Sequence, residues 1–110
     1  MQPNHILNSQ IFSATSMGAD ATSTAVNINE VVTMAIQAVW SDGSTPVGVL
    51  ILQVSNDGDT YTDADSQNVS GNSGSIIWNV ERPGYGYVRL FYDRTSGSGT
   101  LNARLNGKRS

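Results

Sequence analysis

Residues 84–108, GYGYVRLFYDRTSGSGTLNARLNGK, decide the fold class. Val88, Leu90 and Tyr92 alternate with Tyr87, Arg89 and Phe91. After a break, Leu101, Ala103 and Leu105 alternate with Asn102, Arg104 and Asn106. Successive side chains of a strand point to opposite sides, so an apolar residue at every second position means one buried face and one exposed face. The break, Thr95-Ser96-Gly97-Ser98-Gly99, holds the residue types that supply positive φ and local hydrogen bonds. Two alternating runs around such a break predict a β-hairpin.

Upstream the same period recurs. Residues 31–40 (VVTMAIQAVW) place Val32, Met34, Ile36, Ala38 and Trp40 on one side and Thr33, Ala35, Gln37 and Val39 on the other. The second side is only mildly polar, which predicts that something covers it too. No N-cap or polar stripe accompanies this run, and its β-branched and aromatic residues favour strand over helix. Residues 47–54 (VGVLILQV) are apolar on both faces and predict a central strand. Between them, Ser41-Asp42-Gly43-Ser44-Thr45-Pro46 reads as a loop, since Asp-Gly supplies positive φ and Pro removes a donor. Ser55-Asn56-Asp57-Gly58-Asp59 reads as a turn, residues 61–65 as a short extended piece, residues 67–75 as a loop and residues 76–80 as a strand. Toward the N-terminus, residues 8–14 predict an edge strand anchored by Ile11, residues 17–20 a turn, and residues 22–28 a strand.

Seven or eight short strands without a helix predict an all-β chain, an antiparallel β-sandwich of jelly-roll-like form, because each apolar face needs a second sheet to cover it. A length of 110 residues fits one domain. Within it, residues 31–108 are expected to form the sandwich core. Residues 1–30 are expected to supply an N-terminal arm and the first strands, and to take part in contact between subunits.

Composition narrows the partners. Charged residues make up 14% of the chain, against about a quarter in an ordinary soluble domain. Such a chain suits faces covered by neighbours rather than by water. The net charge of −3 disfavours nucleic acid and anionic membranes, which need a concentrated basic surface. The one basic cluster, Lys108-Arg109, reads as a solvated tail. No cysteine is present, which suggests cytosolic synthesis or stability obtained by oligomerisation. The start of the chain does not read as a signal peptide, and no apolar run is long enough to span a bilayer.

No constellation for catalysis stands out. His5 is the one histidine and reads as solvated. Ser96-Gly97-Ser98-Gly99 resembles a nucleophile elbow only superficially, since no helix follows and no base is in reach. Residues 71–74 (GNSG) lack the lysine and the helix of a phosphate loop. Asp57, Asp59, Asp63 and Asp65 are a calcium candidate, because alternate carboxylates in a flexible segment suit a hard cation. Turn chemistry explains the same residues without a metal, and no metal or cofactor is expected. Trp40, Tyr61, Trp78 and Tyr85 are glycan-contact candidates, since aromatic faces stack on sugar C–H groups, although packing accounts for such residues equally well. Arg89, Asp93 and Arg94 read as an exposed ion-pair group of little energetic weight.

Three segments carry a family resemblance: Ala38-Val39-Trp40, residues 48–58 (GVLILQVSNDG), and residues 87–103 (YVRLFYDRTSGSGTLNA). In this order they resemble a family of small virion proteins of tailed bacteriophages. There, a strand ending in Trp, a G-x-L-x-x-Q-x-S-N-D-G strand and turn, and a Y-V-R-x-x-Y-x-R-T-S-G-x-G-T-L-N-A hairpin recur. The likeness spans residues 31–108 and is most specific in the last hairpin. It departs after the Ser-Asn-Asp-Gly turn, where the family has an aromatic residue and this chain has Tyr61 one position later, after Asp59-Thr60. The resemblance implies a β-sandwich made in the host cytoplasm and carried on the capsid surface. It implies a decoration or cement protein that binds the major capsid protein and copies of itself, as a homotrimer, and that is no enzyme. The alternative it leaves open is a tail or spike accessory module, a discoidin-like sandwich that binds host-surface carbohydrate.

Overall fold

The computed structural model describes residues 5–29, 31–81 and 83–108. They form seven strands: β1 (His5–Ser16), β2 (Ala21–Thr22), β3 (Val26–Asn27), β4 (Thr33–Ser55), β5 (Thr62–Val69), β6 (Gly74–Glu81) and β7 (Tyr87–Lys108). All pairings are antiparallel. The chain is an all-β antiparallel sandwich, as the strand spacing predicts. Among the described residues no helix is long and apolar enough to cross a membrane.

Two strands carry the architecture. β4 and β7 pair along almost their whole length, from Thr33 opposite Lys108 to Ser55 opposite Tyr87. Each bends midway and contributes to both layers. The first layer runs β1, the C-terminal half of β7, the N-terminal half of β4, then β6. The second runs β2 and β3, the N-terminal half of β7, the C-terminal half of β4, then β5.

Here the structure corrects the sequence reading. Residues 84–108 are not a hairpin, because the two alternating runs pair with β4 and not with each other. The Ser41–Pro46 loop is likewise part of a strand. The two Gly-rich breaks lie opposite one another: Ser41 faces Thr100, Ser44 faces Ser98 and Val47 faces Ser96, with a register shift at each step. Bulges of this kind bend a strand without ending it. Positive φ at Asp42, Thr45 and Gly97 turns both strands through the same corner. Residues 67–75, read as a loop, are loop only at 70–73, since β5 ends at Val69 and β6 starts at Gly74.

The corner also solves a register problem. On β4 the buried positions are even on both sides of it: Met34, Ile36, Ala38 and Trp40, then Leu50 and Leu52. On β7 they change from even (Val88, Leu90, Tyr92) to odd (Leu101, Ala103, Leu105). A one-residue slip turns every side chain to the other face. The slip between the paired bulges therefore keeps both apolar sets inside. These residues form one continuous core with Ile11, Phe12, Met17, Val26 and Ile28.

Residues 5–29 are thus built into the sandwich rather than appended to it. β1 pairs with β7, and Thr24 N–H donates to Ile11 C=O at 3.2 Å, bridging the layers on that side. Residues 1–4 of the expected N-terminal arm, the His5 side chain and Arg109 of the expected tail lie outside the described residues.

Candidate functional site

Among the described residues an end groove and two broad outer faces stand out. The groove lies at the end of the second layer, about 440 Å³ in volume, between the turn after β4 and the loop before β7. Val54, Asp57, Thr60, Thr62 and Tyr85 line it. Its turn is rigid for a local reason. The Ser55 hydroxyl accepts from the N–H groups of Asp57 and Gly58 and donates to Asp57 Oδ1 at 2.9 Å. Asp57 Oδ1 also accepts from Asp59 N–H at 2.8 Å and Thr60 N–H at 2.9 Å. These donors, the Thr60 amide foremost, hold the Asp57 carboxyl down at about 2. The opposite wall is tied in by Gly86 N–H, which donates to Ser55 C=O at 3.0 Å.

The four aspartates proposed for calcium do not converge. Asp57 closes its own turn, Asp63 accepts from the Gln53 amide at 3.0 Å, and Asp65 accepts from Trp78 Nε1 at 2.9 Å. Among the described residues, no group of three or more His, Asp or Glu side chains is placed to hold a metal ion. The four glycan-contact candidates separate as well. Trp40 and Trp78 are 5% and 6% exposed, so their ring faces are covered by the core and cannot stack on a sugar. Their indole N–H groups are bonded, to Gly71 C=O and to Asp65. Tyr85 lines the groove, while Tyr61 stacks under the Arg89 guanidinium, 3.9 Å from its ring centre.

That stack belongs to the outer face of the second layer. Arg89 Nε donates to Gln53 Oε1 at 2.8 Å, so Arg89 meets an amide and a ring rather than Asp93. Arg94 Nε donates to Gly97 C=O at 2.8 Å at the corner. Beyond Arg89 the face turns apolar. Val47 is 43% exposed, and Val49, Ile51 and Phe91 are half-buried. A groove of about 390 Å³ runs here along Val49 and Ile51, edged by Asp63 and Asp93.

The outer face of the first layer has a different chemistry. The register sets Gln37 beside Arg104 and Ile77, and Val39 beside Asn102 and Ser75. Arg104 donates to Asn8 Oδ1 at 2.8 Å, and Asn102 Oδ1 accepts from Ala14 N–H at 2.8 Å. Against this amide background Ile77 is 62% and Val39 43% exposed. The mildly polar second side of residues 31–40 signalled this face. Nothing in the local pattern signalled Ile77, which stands out only once the register puts it beside Gln37, two positions along β4 from Val39.

No protein-family model matches the chain, and no curated protein matches it. Solved structures share its fold. The SPBc2 prophage-derived protein YomS superposes with a TM-score of 0.61 at 9% identity, covering 91% of this chain and 93% of its own. A chain from Bacillus endospore appendages, a family of disulfide-linked pili, superposes with a TM-score of 0.52 at 17% identity, covering 100% and 93%. A CBM4 chain superposes with a TM-score of 0.50 at 15% identity, covering 76% of this chain and 56% of its own.

Proposed function

We propose that this chain is a structural protein of a tailed-phage particle, a decoration or cement protein that sits on the head shell. It binds the major capsid protein and copies of itself, and it has no catalytic role. The observation that carries the reading is the pair of exposed, partly apolar outer faces on a sandwich with few charges. Such faces suit broad non-catalytic contact better than chemistry in a cleft. A prophage-derived protein with the same fold over nearly its whole length supports it, as does the virion-family resemblance of residues 31–108.

A second reading rests on the end groove. Tyr85 beside the hydroxyls of Thr60 and Thr62 and the fixed Asp57 carboxylate is a combination that suits a neutral saccharide. The fold likeness to a CBM4 chain is compatible with it. In that case the chain is a tail or spike module.

Copy number separates the two. Quantitative mass spectrometry of purified particles is expected to find hundreds of copies per particle. A handful per particle supports the tail or spike reading, and none overturns both.

A further inference from the structure

The two outer faces differ in a way that fits one to the other. Among the described residues the exposed large hydrophobics are Val39, Val47 and Ile77, and all three point outward from a layer. Val39 and Ile77 lie on the first layer with Arg104, and Lys108 and Glu81 flank Thr33 at the end of that layer. Val47 lies on the second, in line with Val49 and Ile51, where the groove is edged by Asp63 and Asp93. Among the described residues the cation on that face is Arg89, which is already held by Gln53 and Tyr61. Among the described residues, Asp63 meets the Gln53 amide and Arg104 the amides of Asn8 and Gln10, and neither has an ion-pair partner there.

From this we infer that the chain associates with a second copy of itself head to tail, the first-layer face of one copy seated on the second-layer face of the next. The inference rests on the reading above only in taking copies of the chain to touch. A symmetric joint of second-layer faces would set the face edged by Asp63 and Asp93 against its like, and one of first-layer faces would do so for the face that carries Arg104. Like charges brought together across an interface select against that pairing. The head-to-tail joint sets carboxylates against cations and covers Ile77 and Val39 with Val47, Val49 and Ile51. A joint of this type closes into a ring when its rotation allows and otherwise grows as a filament.

Sedimentation velocity on the purified chain tests this. The mass is expected to rise with concentration, and the association to weaken as salt is raised from about 0.05 to 0.5 M. Ile77→Asp and Val47→Asp are each expected to weaken association roughly tenfold or more. Both side chains are exposed, so the melting temperature of each variant should match the parent. Mixing the two variants is the decisive step. The Ile77→Asp copy keeps an intact second-layer face and the Val47→Asp copy an intact first-layer face, so a one-to-one mixture should form dimers and stop there. A monomer at every concentration, variants that assemble like the parent, or a mixture that forms no dimer would each overturn the inference. A monomer in solution leaves the particle reading standing, whereas absence from particles overturns that reading and not this one.

Discussion

Two stretches of this chain carry the same turn chemistry and do different things. Ser55–Asp59 and Ser41–Pro46 both contain Asp-Gly among Ser, Asn or Thr. The first reverses the chain between β4 and β5. The second only bends β4, which continues to pair with β7 on both sides. The difference lies in where the backbone groups find partners. At residues 55–60 they find them locally, on the Ser55 hydroxyl and the Asp57 carboxylate. At the corner they find them at a distance. Gly43 N–H donates to Asn72 C=O at 2.9 Å, Thr45 N–H donates to Asn72 Oδ1 at 2.9 Å, and the facing bend of β7 supplies the rest of the pairing. A reversal of this kind is a property of its own residues, while a corner is a property of two strands that bend together.

The largest expected effect breaks the corner. Gly97 has φ of 78°, and a side chain there would run into the Thr45 carbonyl and the backbone of Pro46. Gly97→Ala adds that collision to the backbone strain, which alone costs about 1–3 kcal/mol. A domain of this size has roughly 5–15 kcal/mol in all, so a large drop in the urea midpoint is expected. Gly58 in the local turn has nearly the same φ, 81°, but a side chain there meets only the Tyr87 ring at 3.3 Å or more. Gly58→Ala should therefore cost about 1 kcal/mol, the strain without the collision. Equal losses for the two variants would contradict the distinction drawn between them.

A middle-sized effect sharpens the local turn. The Asp57 carboxyl lies at about 2 in the fold, below its ordinary 3.8. Its contribution is therefore present above about pH 4 and is lost as the pH falls toward 2. Asp57→Asn keeps the acceptor oxygen and removes the charge. Acid titration followed by circular dichroism should show a smaller stability loss between pH 4 and 2 than in the parent, because the variant already lacks that contribution at neutral pH.

The smallest effect concerns the core between the two. Tyr92 is fully buried, its hydroxyl has no hydrogen-bond partner among the described residues, and burial pushes its ionisation above the ordinary 10. An unsatisfied buried hydroxyl costs on the order of 1–3 kcal/mol, part of which is returned when the group is removed. Tyr92→Phe should leave stability unchanged or raise it by about 1 kcal/mol, read from the thermal midpoint.

These differences explain what the sequence made legible. Period-2 alternation identifies Met34 to Trp40, Leu50 and Leu52, Val88 to Tyr92 and Leu101 to Leu105 as core, because each face is decided locally. The all-β class follows from that pattern. The connectivity does not, because Thr95–Gly99 looks the same whether the flanking runs pair with each other or with another strand. The candidate surfaces were visible only in outline. Apolar residues on both faces of residues 47–54 and a mildly polar second side in residues 31–40 marked strands in need of further cover. Choosing which aromatics are free required the fold, since Trp40 and Trp78 face the core while Tyr85 lines a groove.

The account as a whole stands on the claim that this sandwich is a repeated part of a particle's shell. Cryo-electron microscopy of intact particles tests it most directly. The account predicts the seven-strand sandwich at regular lattice positions on the outside of the head, touching the major capsid protein. A head surface without it, or density for it only at the tail, would contradict the claim.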